Sequence, residues 1–193
     1  LILHPKNCQK SRNRMSTPIT ASASASRKLR SSLSPTARRS QILSSSYLNR
    51  YQSKNDLVRR LHTVTTALSN EDVEVDNPNY TGLESLATIL ISPKYLSHKD
   101  KEVRLHTTLA CMEVFHLYAP DPPWDEEEIL SIFSQLTIQL ANLGHCTSPS
   151  QPNYNYYYRL LEMLSTVKIG VVLTELVNQG STTGLEYLTN LTH

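Results

Sequence analysis

A chain of 193 residues has room for one domain plus a tail, and five glycines are few for a protein of hairpins or phosphate-binding loops, so helices are expected. The formal charge of +2 conceals an asymmetry: residues 1–60 hold thirteen of the nineteen Lys/Arg and one acid, Asp56, for +12, against −10 for residues 61–193. No apolar run approaches the roughly 18 residues of a membrane span, and three cysteines (Cys8, Cys111, Cys146) without C-x-x-C spacing argue against a disulfide framework and suit a reducing compartment.

Residues 1–53 read as a disordered basic tail. The stretch "STPITASASASRKLRSSLSPTARRSQILSSS" is rich in Ser, Ala and Arg and holds hardly any aromatic residue. Its apolar surface is too small to offset the entropy of ordering. Arg27, Lys28, Arg30, Arg38 and Arg39 suit a nuclear import signal or a salt-sensitive grip on nucleic acid. Ser34, before Pro35, suits proline-directed phosphorylation. The absence of acids before Asp56 also fits a mitochondrial transit peptide, and a solvated tail without a specific role fits equally.

From Asp56 apolar residues fall at helical spacing. Leu57, Val58, Leu61, Val64 and Leu68 predict a first helix. A second follows Pro78, with Thr81 as its cap and Leu83, Leu86, Ala87, Leu90 and Ile91 on its face. The third carries Val103, Thr107, Ala110, Cys111, Val114 and Leu117, and ends at the link "APDPPW". Asp125 with Glu128 three residues later predicts an N-cap and capping box, opening a fourth helix through Ile129, Ile132, Phe133, Leu136, Leu140 and Leu143. Tyr157, Leu160, Leu161 and Leu164 predict a fifth, and Val167, Val171, Val172 and Leu176 a sixth. Leu185, Leu188 and Leu191 begin a seventh. Helix pairs at 57–91, 103–143 and 157–178 recur at about 40–45 residues, the period of HEAT or armadillo arrays. The fold class expected is all-α, a HEAT-repeat-like α-solenoid over residues 54–193 that continues past the last helix begun here.

Three stretches carry a family resemblance: "LVRRLHTVTTAL" (57–68), "LSHKDKEVRLHTTLACMEVFHLYAPDPPW" (96–124) and "YYYRLLEMLSTVKIGVVLTEL" (156–176). Together they resemble the cohesin regulators named for precocious dissociation of sisters, large nuclear HEAT-repeat proteins of sister chromatid cohesion. The resemblance covers residues 54 to about 190, at the N-terminal portion of such a protein. It implies a non-catalytic scaffold in the nucleus, bound to cohesin and through it to chromatin. It also implies that Tyr118, Ala119, Pro120, Asp121, Pro122, Pro123 and Trp124 dock short motifs of the wings-apart-like release factor or its competitors. Where the family commonly has Ala, then Pro and Phe or Tyr, this chain has Pro122, Pro123 and Trp124. From the residues alone two roles stay open. Trp124 offers an exposed apolar or cation–π face on a proline-stiffened link, or the prolines simply stop a helix and Trp124 fills a gap between repeats.

Other patterns carry less. His106, Cys111 and His116 lie five apart, where helical metal ligands want four, and no metal or cofactor is expected. His145-Cys146 would serve nucleophilic catalysis only with a further partner. "YNYYYRLLEML" suits base stacking less than packing, because its surroundings are acidic.

Overall fold

The computed structural model describes residues 33–70, 82–119 and 121–166. Among the described residues there are seven helices and no strand: α1 (Pro35–Ile42), α2 (Ser45–Asn49), α3 (Lys54–Leu68), α4 (Leu83–Leu90), α5 (Lys101–Tyr118), α6 (Glu126–Gly144) and α7 (Tyr154–Thr166). This is the all-α, HEAT-like arrangement that the helical spacing predicts. The sixth and seventh expected helices and the Thr81 cap lie outside the described residues.

Helix α5 is the axis, with α3, α4, α6 and α7 all packing on it. Its sequence explains why. Twelve of its eighteen residues are buried, from Val103 to Phe115, so it is buried on every side rather than along one stripe. Small residues let the neighbours approach: Thr107, Thr108, Ala110 and Cys111 are all buried. The threonine hydroxyls donate back to carbonyls one turn earlier, Thr107 to Val103 at 2.8 Å and Thr108 to Arg104 at 2.9 Å, so no hydroxyl is stranded. Asp100 caps the helix by accepting from the Glu102 N–H at 2.9 Å. The Arg104 guanidinium holds the preceding turn by donating to the His98 carbonyl at 2.6 Å.

The amphipathic helices close around this axis. Helix α3 buries Leu57, Leu61, Val64, Thr65 and Leu68, and its N-cap Ser53 accepts from the Asp56 N–H at 3.2 Å. Arg60 joins α3 to α2, pairing with Asp56 at 3.0 Å and donating to the Tyr47 carbonyl at 3.0 Å. Gly82 begins α4 where a Cβ would stand 3.3 Å from the Leu43 carbonyl oxygen. A larger residue here would be tight and would push the Leu43 backbone back by a few tenths of an ångström.

That contact also marks a correction. Residues 35–53 are not part of a disordered tail: Leu43 and Leu48 are fully buried in the main core, and Ile42, Tyr47 and Tyr51 pack beside them. Tyr95 donates its hydroxyl to the Asn49 side-chain carbonyl at 3.1 Å, tying α2 to the turn after α4. Helices of eight and five residues are not stable in isolation. Their order comes from docking, which a Ser/Arg-rich composition does not reveal.

Candidate docking site at the α5–α6 link

The link from Tyr118 to Trp124 is built by two helix ends. Helix α5 finishes as the Ala119 N–H reaches back to the Phe115 carbonyl at 3.0 Å, and the Asp121 N–H then donates to the Tyr118 carbonyl at 2.9 Å. Helix α6 starts with the capping box expected from Asp125 and Glu128: Glu128 N–H to Asp125 Oδ1 at 2.9 Å, and Asp125 N–H to Glu128 Oε2 at 3.0 Å. Both orphan donors are thereby satisfied reciprocally. Asp125→Ala removes this cap and is expected to cost about 1 kcal/mol, whereas Asp125→Ser keeps a capping oxygen and costs less. Urea denaturation of the two variants measures the difference.

Trp124 does not lie open on this link. It is 7% exposed, its ring meets Phe115 edge-on at 4.9 Å between centroids, and its Nε1 donates to the Ala87 carbonyl on α4 at 3.2 Å. Phe115 in turn contacts Phe133 on α6 at 5.7 Å. Of the two roles left open for Trp124, its burial fits the gap-filling one: it joins α4, α5 and α6. Burial is favoured because the indole finds both an apolar bed and an acceptor for its one polar atom.

What the link presents instead is acid. Ala119 and Asp121 are exposed, Pro122 and Pro123 are half-buried, and Tyr118 is half-buried against the core. Pro120 lies outside the described residues. Asp125, Glu126 and Glu127 stand exposed on the first turn of α6, where they also face the positive end of the helix dipole. Asp121 precedes that turn and sits between the two helices.

A feature that the sequence did not single out continues from these acids. Glu127, Ser131, Ser134 and Ile138 recur at helical spacing on one face of α6, and Ser131 donates to the Glu127 carbonyl at 2.9 Å. Beside them opens a cleft of about 320 Å³ lined by Leu96, Ser97, Leu130, Ser131, Ser134 and Gln135. The Gln135 Oε1 there is buried and has no hydrogen-bond partner within the protein. Ile138, further along, is 45% exposed. Mixed Ser and Gln positions give no distinct sequence signal, so only the partnering of α6 with the Leu96 turn brings the cleft to light.

The other sequence candidates are placed apart. Ser34 is exposed immediately before α1, and Arg38 and Arg39 lie within α1. Arg27, Lys28 and Arg30 lie outside the described residues. Cys111 is fully buried, and burial pushes its thiol far above the ordinary range. His116, by contrast, is exposed. The Cys146 thiol donates to the Asn142 carbonyl at 3.4 Å. Tyr157 is buried, whereas Tyr158 is exposed and stacks on Tyr154 at 6.1 Å.

Comparison with known proteins decides what these helices belong to. The model of the family described as sister chromatid cohesion protein PDS5 matches residues 55–183. The chain belongs to this family. Sister chromatid cohesion protein PDS5 homolog B-B of Xenopus laevis is 34% identical over 117 residues, which are 60% of this chain and 8% of that relative. The PDS5 protein of Saccharomyces cerevisiae is 35% identical over 92 residues, 48% of this chain and 7% of its own length. A homolog from Dictyostelium discoideum is 29% identical over 121 residues, 63% and 8% respectively. The chain thus matches under a tenth of each of these PDS5 relatives. The matched span begins within α3, so α1, α2 and the link before α3 lie ahead of it.

Proposed function

We propose that this chain acts in sister chromatid cohesion as a non-catalytic scaffold, docking short basic motifs of cohesin regulators at the α5–α6 link. The wings-apart-like release factor and its competitors are the partners proposed, with cohesin on chromatin in the nucleus as the setting. The observation that carries the reading is the pinned acidic link. Trp124 fixes the backbone from Asp121 to Asp125 through α4 and α5, so little chain entropy is lost when a peptide docks. Asp121 and the acids of α6 suit an arginine of the incoming motif, whose paired N–H groups match a carboxylate. The adjoining cleft offers Leu96 and Leu130 to an apolar side chain and Ser97, Ser131 and Ser134 to polar groups. Competition between peptides for this surface is the mechanism of regulation.

The test is fluorescence anisotropy of a labelled, arginine-bearing peptide from the release factor, titrated with the 193-residue chain. Saturable binding is expected, weakening about tenfold in Asp121→Ala, the loss of one charge-assisted hydrogen bond. The exposed position of Asp121 leaves the unfolding midpoint unchanged. Equal affinity for the wild type and Asp121→Ala would remove the link from the interface.

A further inference from the structure

On the α3 side of α5, remote in sequence from the link, a second cleft of about 320 Å³ opens between α3, α5 and α7. Asn55, Val58, Arg59 and His62 follow one stripe of α3 at intervals of three and four residues. His106 of α5 and Tyr156 of α7 meet them, the two rings 4.5 Å apart and each about one ring-width from His62, at 6.0 and 5.9 Å. His106 is 2% exposed, and its Nδ1 has no hydrogen-bond partner within the protein. A buried polar atom left in that state costs stability unless something else satisfies it.

We propose that this cleft receives a carboxylate side chain from an acidic segment of a partner protein. Its lining is rich in donors: the Asn55 amide, the Arg59 guanidinium, the two imidazoles and the Tyr156 hydroxyl. Its one carboxylate, Glu102, is already held by Lys54 at 2.9 Å. Asp56, behind Arg59, is shared with Arg60. Beside it stand Lys54, Arg59 and Arg60, each paired with an acid, so the donors rather than a net charge mark the cleft. An acidic protein segment fits better than nucleic acid. Asp56, Asp100 and Glu102 pair with the cations at the rim, which leaves few of them to neutralise a phosphate backbone. Burial, with the neighbouring His62, holds His106 down to about 4, so it is neutral at physiological pH. A carboxylate bound against it favours the protonated ring. Binding therefore takes up protons and tightens as pH falls, with Glu102 acting in the same direction and Arg59 and His62 against it.

The probe is a fluorescein-labelled octaglutamate peptide added to the 193-residue chain, with the imidazole resonances followed by NMR. Saturable binding is expected to move the His62 and His106 signals and raise the His106 titration midpoint. Affinity should fall about tenfold in Arg59→Glu, whose side chain is 77% exposed and so leaves the fold intact. It should fall likewise in His106→Leu, which fills the same site without a nitrogen. The control Glu84→Gln, exposed on α4 and outside the cleft lining, should bind normally. Unmoved histidine signals would overturn the proposal. So would displacement of the peptide by duplex DNA with a steep salt dependence, which would give the cleft to nucleic acid instead.

Discussion

Trp124→Ala is expected to cost about 3–5 kcal/mol, a large share of the stability of a domain this size. Three contributions add. The indole vacates a site that is 7% exposed, Phe115 loses its edge-on partner at 4.9 Å, and the Ala87 carbonyl loses a donor at 3.2 Å. Ala87 lies in the last turn of α4, where carbonyls run short of intrahelical donors, so its loss leaves an acceptor buried and unmet. Trp124→Phe separates these contributions. It keeps an aromatic ring against Phe115 and gives up the hydrogen bond, for about 1–2 kcal/mol. Because Trp124 is the only tryptophan, both variants are followed by far-UV circular dichroism in urea rather than by intrinsic emission. A loss below about 1 kcal/mol in Trp124→Ala would contradict the burial. Docking is expected to fail in Trp124→Ala even where the protein stays folded, because Asp121 is then no longer held in place by a fixed backbone.

The contrast between Trp124 and Asp125 shows what local sequence can disclose. The Asp125–Glu128 box is written in residues three apart, so its spacing alone predicts it. The partner of Trp124 is 37 residues away on α4, and prolines beside the ring suggest exposure rather than burial. The same reasoning covers α1 and α2. Leu43 and Leu48 look unremarkable in a serine-rich stretch, and only the groove formed by α3 and α4 makes them core residues. Helix α5 was legible because its apolar positions are dense. Its role as the axis was not, since that depends on how many neighbours it meets. The His62–His106–Tyr156 cleft lay furthest from view. Its three rings come from three helices, and pairing His106 with Cys111 and His116 along one helix points away from it.

Arg159→Ala carries the second large effect. Glu113 of α5 and Arg159 of α7 form an ion pair in which the carboxylate side chain is 6% exposed and the guanidinium 41%. The two partners are therefore unequal. Without Glu113, Arg159 turns to water; without Arg159, Glu113 is left as a buried, unpaired charge. Arg159→Ala is expected to cost about 3–5 kcal/mol near neutral pH, and Glu113→Gln much less. Burial already raises the Glu113 carboxyl above its ordinary 4.5, while Arg159, by charge and hydrogen bond, draws it back. A raised carboxyl binds a proton more readily in the folded chain than in the unfolded one. Its contribution to stability is full at acid pH and declines as pH rises from about 4.5 through the folded value. In Arg159→Ala the value climbs further, so the decline extends to higher pH and the variant regains stability on acidification. The Arg159→Ala/Glu113→Gln double variant has no charge left to strand, so it recovers most of the loss and this pH dependence disappears. Urea denaturation on both sides of the window, read by Trp124 emission, distinguishes the cases. Equal losses in Arg159→Ala and Glu113→Gln, with the same pH profile, would mean that the pair joins α5 to α7 through packing alone.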